Sequence, residues 1–184
     1  MTSSPVQKSW NDIILPPDTK KQLLQLNKLL VEFLKEYNTS EISSSINRGK
    51  GITAVFTGQD KTSKNMAAEI LSNQGSSGIL DIIRIDLSKI VQKYIGETEK
   101  NLNSIFGSAE NSGAILFFDE ADALFGKRTD ISDAHDRYDN IELDFLLQHL
   151  EAYPGLVIMA TNRKYLDTAF PRRIQLFIDF PILE

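Results

Sequence analysis

An α/β protein built on a doubly wound, parallel, five-stranded sheet with helices on both faces is the fold class this sequence predicts, and two observations predict it. From Ile52 onward, short apolar runs alternate with segments of helical spacing, the pattern of successive βαβ units. Two of those runs, Ala114-Ile115-Leu116-Phe117-Phe118 and Leu156-Val157-Ile158-Met159-Ala160, are apolar without interruption. A strand covered by helices on both faces has no polar side to present, so it reads in this way. With 184 residues, 41% hydrophobic and 24% charged, the chain suffices for one compact domain with a core.

The elements follow in order. The lead MTSSPVQKSW is polar and lacks the apolar centre of a signal segment. Trp10 to Leu15 reads as an extended segment stopped by Pro16-Pro17. A helix comes next, with Leu23, Leu26, Leu30, Phe33 or Leu34, and Tyr37 recurring at helical spacing among lysines and glutamates, so one face packs on a core. The Ser-, Asn- and Gly-rich stretch from Asn38 to Gly51 reads as a loop. Strands are then expected at Ile52–Thr57, Asp81–Asp86, Ala114–Asp119, Leu156–Thr161 and Gln175–Phe180. Between them fall a helix from Lys64, one around Asn101–Glu110 and one at Ile141–Glu151.

Charge and composition narrow the function classes. A net charge of −5 argues against a broad nucleic-acid or anionic-membrane surface, because both rely on an excess of Lys and Arg. The chain has no cysteine, which excludes disulfides, thiolate zinc sites and a cysteine nucleophile. No run approaches the roughly 20 apolar residues of a membrane span. A soluble, cytoplasmic protein is the expectation.

Ligands of open α/β sheets bind beyond the carboxyl ends of the strands. After the first strand stands GQDKTSKN, residues 58 to 65; after the third stand Asp119 and Glu120; after the fourth stand Thr161 and Asn162. An anion-binding turn, two adjacent carboxylates and an amide on one sheet edge form the toolkit of phosphoryl transfer. A phosphate-binding loop reads G-x-x-x-x-G-K-[ST]. Here Gly58 and Lys64 match, Ser63 stands at the second glycine and Asn65 at the hydroxyl position. Taken alone, the stretch also reads as a polar turn in which Thr62 or Ser63 caps a helix. His135 and His149 are too far apart for a metal pair.

These residues carry a family resemblance. ILFFDEADALFGKR resembles a Walker B strand with its neighbours, KYIGETEKNL resembles the first pore loop of AAA ATPases, and MATNRKYLDTAFPRR is similar to their sensor and arginine-finger segment. The order and spacing resemble the AAA family of the AAA+ superfamily from Trp10 to Pro181, with an altered Walker A loop. The resemblance implies a P-loop NTPase-like fold, with residues 1–51 as the lead, helix and loop of the module and 52–184 as its nucleotide-binding core. The family's small helical lid would follow beyond FPILE.

The resemblance also implies roles. ATP and Mg²⁺ would be the cofactors. Gly58, Lys61, Thr62, Ser63, Lys64 and Asn65 would surround the phosphates. Asp119, with Asn65, would hold the metal, a hard cation that prefers oxygen. Glu120 would act as general base, Asn162 would fix the water or the γ-phosphate, and Arg172 or Arg173 would reach into a neighbouring subunit's site. Tyr94, Ile95 and Gly96 would line the pore of a homo-oligomeric ring and grip a protein substrate. The segment GKRTDISDAHDRYDN falls where the family has a second pore-facing loop.

Lys61 and Ser63 at glycine positions, and an amide where a hydroxyl ligates Mg²⁺, lead to an expectation of weakened nucleotide binding with slow hydrolysis. Three functions follow from the sequence. The first is a Mg²⁺-dependent ATPase that remodels or unfolds protein partners. The second is an AAA-like domain without turnover that serves as a nucleotide-binding or structural assembly platform. The third is a regulatory domain whose carboxylates Asp119, Glu120 and Asp86 bind Mg²⁺ alone.

Overall fold

The structure, a computed structural model, describes residues 8–39, 51–74, 79–91, 97–122, 145–146, 148–162 and 174–182. The described residues open on a turn. Asp12 Oδ2 accepts the backbone N–H of Ser9 at 2.7 Å and its hydroxyl at 2.8 Å, which corrects the extended reading of Trp10 to Leu15. The apolar residues there suggested a strand, but the local side-chain bonds of Ser and Asp close the backbone first. Those bonds also hold the Asp12 carboxyl below its ordinary pKa, the Ser9 backbone N–H contributing most.

Helix α1, Pro17–Thr39, begins on its proline, where the missing N–H is not needed and φ is already helical. Strand β1, Ile52–Thr57, leads into α2, Lys61–Ser72. Then come β2, Ile82–Asp86, a short α3, Leu87–Val91, that the sequence reading lacked, α4, Glu97–Ser112, and β3, Ile115–Asp119. Residues 145–146 and 148–152 are helical. Strands β4, Leu156–Ala160, and β5, Leu176–Asp179, complete the described elements.

The five strands form one sheet in the order β2-β3-β4-β1-β5, and every pairing is parallel. The strand order reverses direction at β1, so the crevice beyond the carboxyl ends of β1, β4 and β3 is where such a sheet takes ligands. The uninterrupted apolar runs are explained by what covers them. Alternate residues of β1, Ala54 and Phe56, join Leu23, Leu26 and Leu30 of α1 and Ala67, Ile70 and Leu71 of α2 in one core. Val55 faces the other way, with Leu116, Phe118, Val157 and Met159, toward Leu102 and Phe106 of α4 and Leu146, Leu150 and Tyr153. Each face contributes roughly 1.5–3 kcal/mol per fully buried large side chain. Helix α1 is also tied to β5 by Thr19 Oγ1, which donates to the Asp179 carbonyl at 2.7 Å.

Candidate functional site

The turn between β1 and α2 is shaped by its first residue. Gly58 has φ +97°, a conformation open to glycine and strained for other residues. Its Cα faces the end of β5 so closely that a Cβ would stand 2.2 Å from the Phe180 carbonyl oxygen. Asp60 N–H bonds that same oxygen at 3.3 Å. The loop is thus seated on β5.

Helix α2 begins at Lys61, three residues earlier than expected, and its N-cap is Asp60. The Asp60 Oδ1 accepts the Ser63 N–H at 3.0 Å. This corrects the expectation that Thr62 or Ser63 caps the helix and that the helix starts at Lys64. All three are capping residue types, and the loop seated on β5 places Asp60 at the cap. A carboxylate therefore occupies the first turn of α2, where the helix's free N–H groups would otherwise meet an anion.

Lys64 lies in this first turn and is buried, with 2% exposure. Its ammonium donates to the Gly58 carbonyl at 2.7 Å, the Thr161 carbonyl at 3.0 Å and Asn162 Oδ1 at 3.3 Å. The three donors of an ammonium are matched by three acceptors, which is how a buried cation is tolerated. Burial lowers its pKa, and the charges of Asp119, Asp122 and Glu120 oppose that shift.

Lys61, the first residue of the same turn, reaches outward to β3. Its Nζ lies 2.8 Å from Asp119 Oδ2 and 3.2 Å from Glu120 Oε1. These bonds raise its pKa above the usual lysine value, Asp119 contributing most. The second oxygen of Asp119 accepts the Glu120 N–H at 3.0 Å. Glu120 has φ 55° and, among the described residues, is the one non-glycine in the left-handed region. Such a conformation costs about 1–2 kcal/mol and aims the Glu120 side chain back toward Lys61. The next residue returns to the sheet, Ala121 N–H bonding the Ala160 carbonyl at 2.9 Å.

Sequence reasoning missed Asp60, Asp122 and Arg84. Asp122 clasps the end of β4: Oδ1 accepts the Thr161 hydroxyl and Oδ2 accepts the Asn162 N–H at 3.0 Å. It thereby fixes the carbonyl and amide that hold Lys64. The acidic run after β3 was its one signal. Arg84, on β2, donates to Asn65 Oδ1, lies 3.5 Å from Glu69 Oε1 and covers the Phe117 ring at 5.0 Å. Asn65 also donates to the Lys61 carbonyl at 2.9 Å, so its amide is bonded along the flank of α2 and toward β2. Thr62 is exposed on the first turn.

The structure brings Gly58, Lys61, Ser63, Lys64, Asp119, Glu120 and Asn162 to one sheet edge. Asp86 pairs in register with Asp119 but turns to α3, accepting the Ser88 N–H at 3.1 Å and pairing with Lys89 at 3.0 Å. Among the described residues no three acidic or histidine side chains group as a metal site, which removes the reading of Asp119, Glu120 and Asp86 as a Mg²⁺ pocket. His149 packs on the ring of Phe145 at 4.3 Å and bonds Asn103 at 2.8 Å. Tyr94, Ile95, Gly96, Arg172, Arg173 and GKRTDISDAHDRYDN lie outside the described residues.

To take a magnesium nucleotide, this edge has to exchange bonds that it already makes. The Asp60 carboxylate holds a first-turn N–H, both Asp119 oxygens have partners, and Asn65 is bonded to Arg84 and Lys61. No helix among the described residues is long and apolar enough to cross a membrane.

Comparison with known proteins places the chain. The family model described as "ATPase family associated with various cellular activities (AAA)" matches residues 54–182. The chain is 37% identical over 134 residues to the 26S proteasome regulatory subunit 6B homolog of Aspergillus niger, covering 68% of this chain and 31% of that protein. It is 35% identical over 141 residues to the probable 26S proteasome regulatory subunit 4 of Caenorhabditis elegans, with 72% and 31% covered. The 6B homolog of Dictyostelium discoideum is 38% identical over 133 residues, with 68% and 32% covered. The match spans about a third of the length of these relatives. The family model covers well over half of the chain, and the all-parallel five-stranded sheet is consistent with it; this chain belongs to the AAA family of ATPases.

Proposed function

We propose that this chain is the nucleotide-pocket module of an AAA subunit that joins a ring acting on protein partners, and that its own pocket takes up ATP weakly and turns it over slowly. One observation carries the weak pocket: both lysines are already bonded within the protein, Lys64 to three oxygens and Lys61 to Asp119 and Glu120. Binding a polyphosphate requires these bonds to be exchanged, and only the surplus over them appears as affinity.

The likeness to proteins named as proteasome regulatory subunits supports work within a protein assembly, and the ring rests on the resemblance of the pore-loop and arginine segments. In this reading Tyr94, Ile95 and Gly96 grip the chain being worked on, and Arg172 or Arg173 completes a neighbour's site. Gly58, Lys61, Thr62, Ser63, Lys64 and Asn65 form the loop, and Asp119, Glu120 and Asn162 face it. A cytoplasmic setting belongs to the same proposal.

The Asp60 cap favours a second reading, an assembly platform without turnover, because the cap gives α2 its N-terminal partner from within the chain. Calorimetric titration of ATP with Mg²⁺ separates the two. We expect the natural chain to bind at least tenfold more weakly than the variant carrying Lys61→Gly, Ser63→Gly and Asn65→Thr, a difference of about 1.4 kcal/mol. Equal affinities would refute the weak pocket, and no binding by the natural chain would select the platform.

A further inference from the structure

The carboxylates of this edge already have a cation between them. Asp119 and Glu120 place two carboxylates side by side at the end of β3, and the atom lying between them is the Lys61 nitrogen, 2.8 Å from one and 3.2 Å from the other. These are hydrogen-bonded ion-pair distances. Lys61 does not arrive there as a loose surface side chain. It is the first residue of α2, its backbone is set by the Asp60 cap, and that turn is seated against Phe180 through Gly58. The acceptor side is equally set, since Asp119 Oδ1 holds the Glu120 N–H and Glu120 is kept at φ 55°.

We infer that Lys61 is a tethered counter-cation: its ammonium sits on the Asp119 oxygen that a divalent cation would need and bridges to Glu120, so this edge excludes metal. The inference rests on the reading of the edge as the family's nucleotide pocket only for its consequence, that any nucleotide bound here gains little from Mg²⁺. A cation entering the pair must break the Lys61 bond to Asp119 Oδ2, and among the described residues no third acidic or histidine side chain groups with the pair. The loop's own amide, Asn65, gives its oxygen to Arg84 and its nitrogen to the Lys61 carbonyl. Lys61 thus neutralises the carboxylates without a metal, as a cation whose effective concentration is set by the chain.

The test uses Mn²⁺ alone, read by the loss of its free-ion electron-resonance signal, on the full chain and on Lys61→Ala, with circular dichroism confirming the fold. Lys61 is more than half exposed, at 56% of its side chain, and Lys61→Gln serves as a second variant that keeps the stem without the charge. We expect both variants to bind Mn²⁺ at least tenfold more tightly than the natural chain, and the gain to vanish when Asp119→Asn is added. Equal Mn²⁺ affinity in the natural chain and both variants overturns the inference, as does a gain that survives Asp119→Asn. Because no nucleotide is present, this outcome is independent of whether the pocket binds ATP. Failure of the calorimetric expectation with success here would refute the weak pocket and leave the tethered cation standing.

Discussion

At position 58 the backbone takes φ +97° and leaves no room for a side chain, since a Cβ would meet the Phe180 carbonyl oxygen at 2.2 Å. The sequence presented this glycine as a phosphate-loop residue; its visible constraint is the approach of β5. Gly58→Ala is expected to destabilise the fold by about 2–4 kcal/mol, from the strained φ and the displaced strand end together. A urea titration measures it, and a loss under 1 kcal/mol would show that the loop can move off β5. Glu120 makes the complementary point. Its left-handed conformation leaves no trace in the sequence, where Glu is an ordinary residue for a strand end. The conformation exists because Asp119 accepts its N–H while Ala121 resumes bonding to β4.

Two short elements show how polar side chains set helix starts. At α2, Asp60, Thr62 and Ser63 could each cap, and the register was settled by the loop's seat on β5, which placed the carboxylate over the Ser63 N–H. At α3, Asp86 accepts from Ser88 and pairs with Lys89, and these bonds, Ser88 first, hold its pKa down to about 2. The unfolded value is about 3.9, so the folded state prefers the charged form. That contribution is present above pH 4 and is lost as pH falls toward 2. Between pH 5 and pH 2.5 the natural chain should therefore lose more stability than Asp86→Asn, measured by urea midpoints at each pH. Parallel losses would mean that the cap adds nothing in solution.

At the scale of the molecule, the described residues form two cores divided by one sheet. Helix α1 lies on the first core, and its Leu23, Leu26 and Leu30 are buried to 1% exposure or less, so it is integral to the fold. Leu26→Ala should cost about 2–5 kcal/mol. It should also lower the melting of the opposite face, read by near-ultraviolet circular dichroism of the aromatic cluster at Phe106, Phe118 and Tyr153, because a domain of this size unfolds as a unit. Melting confined to α1 would show that the first core opens separately.

What the sequence determined by itself was the alternation of strands and helices, the parallel sheet and the edge on which the candidate residues collect. Apolar period and uninterrupted strands are local quantities, readable along one chain. It also supplied Lys64, Asp119, Glu120 and Asn162 as candidates, since each follows a strand end. What only the tertiary structure decided was the partnership among them. Lys61 reaches residues 58 and 59 positions away in sequence, Lys64 reaches Thr161 and Asn162, and Asp122 holds the far strand that presents those acceptors. A motif records residue types at a spacing, whereas the charge that stands between two carboxylates depends on where the fold sets the helix start, and here that was fixed by one cap and one glycine against β5.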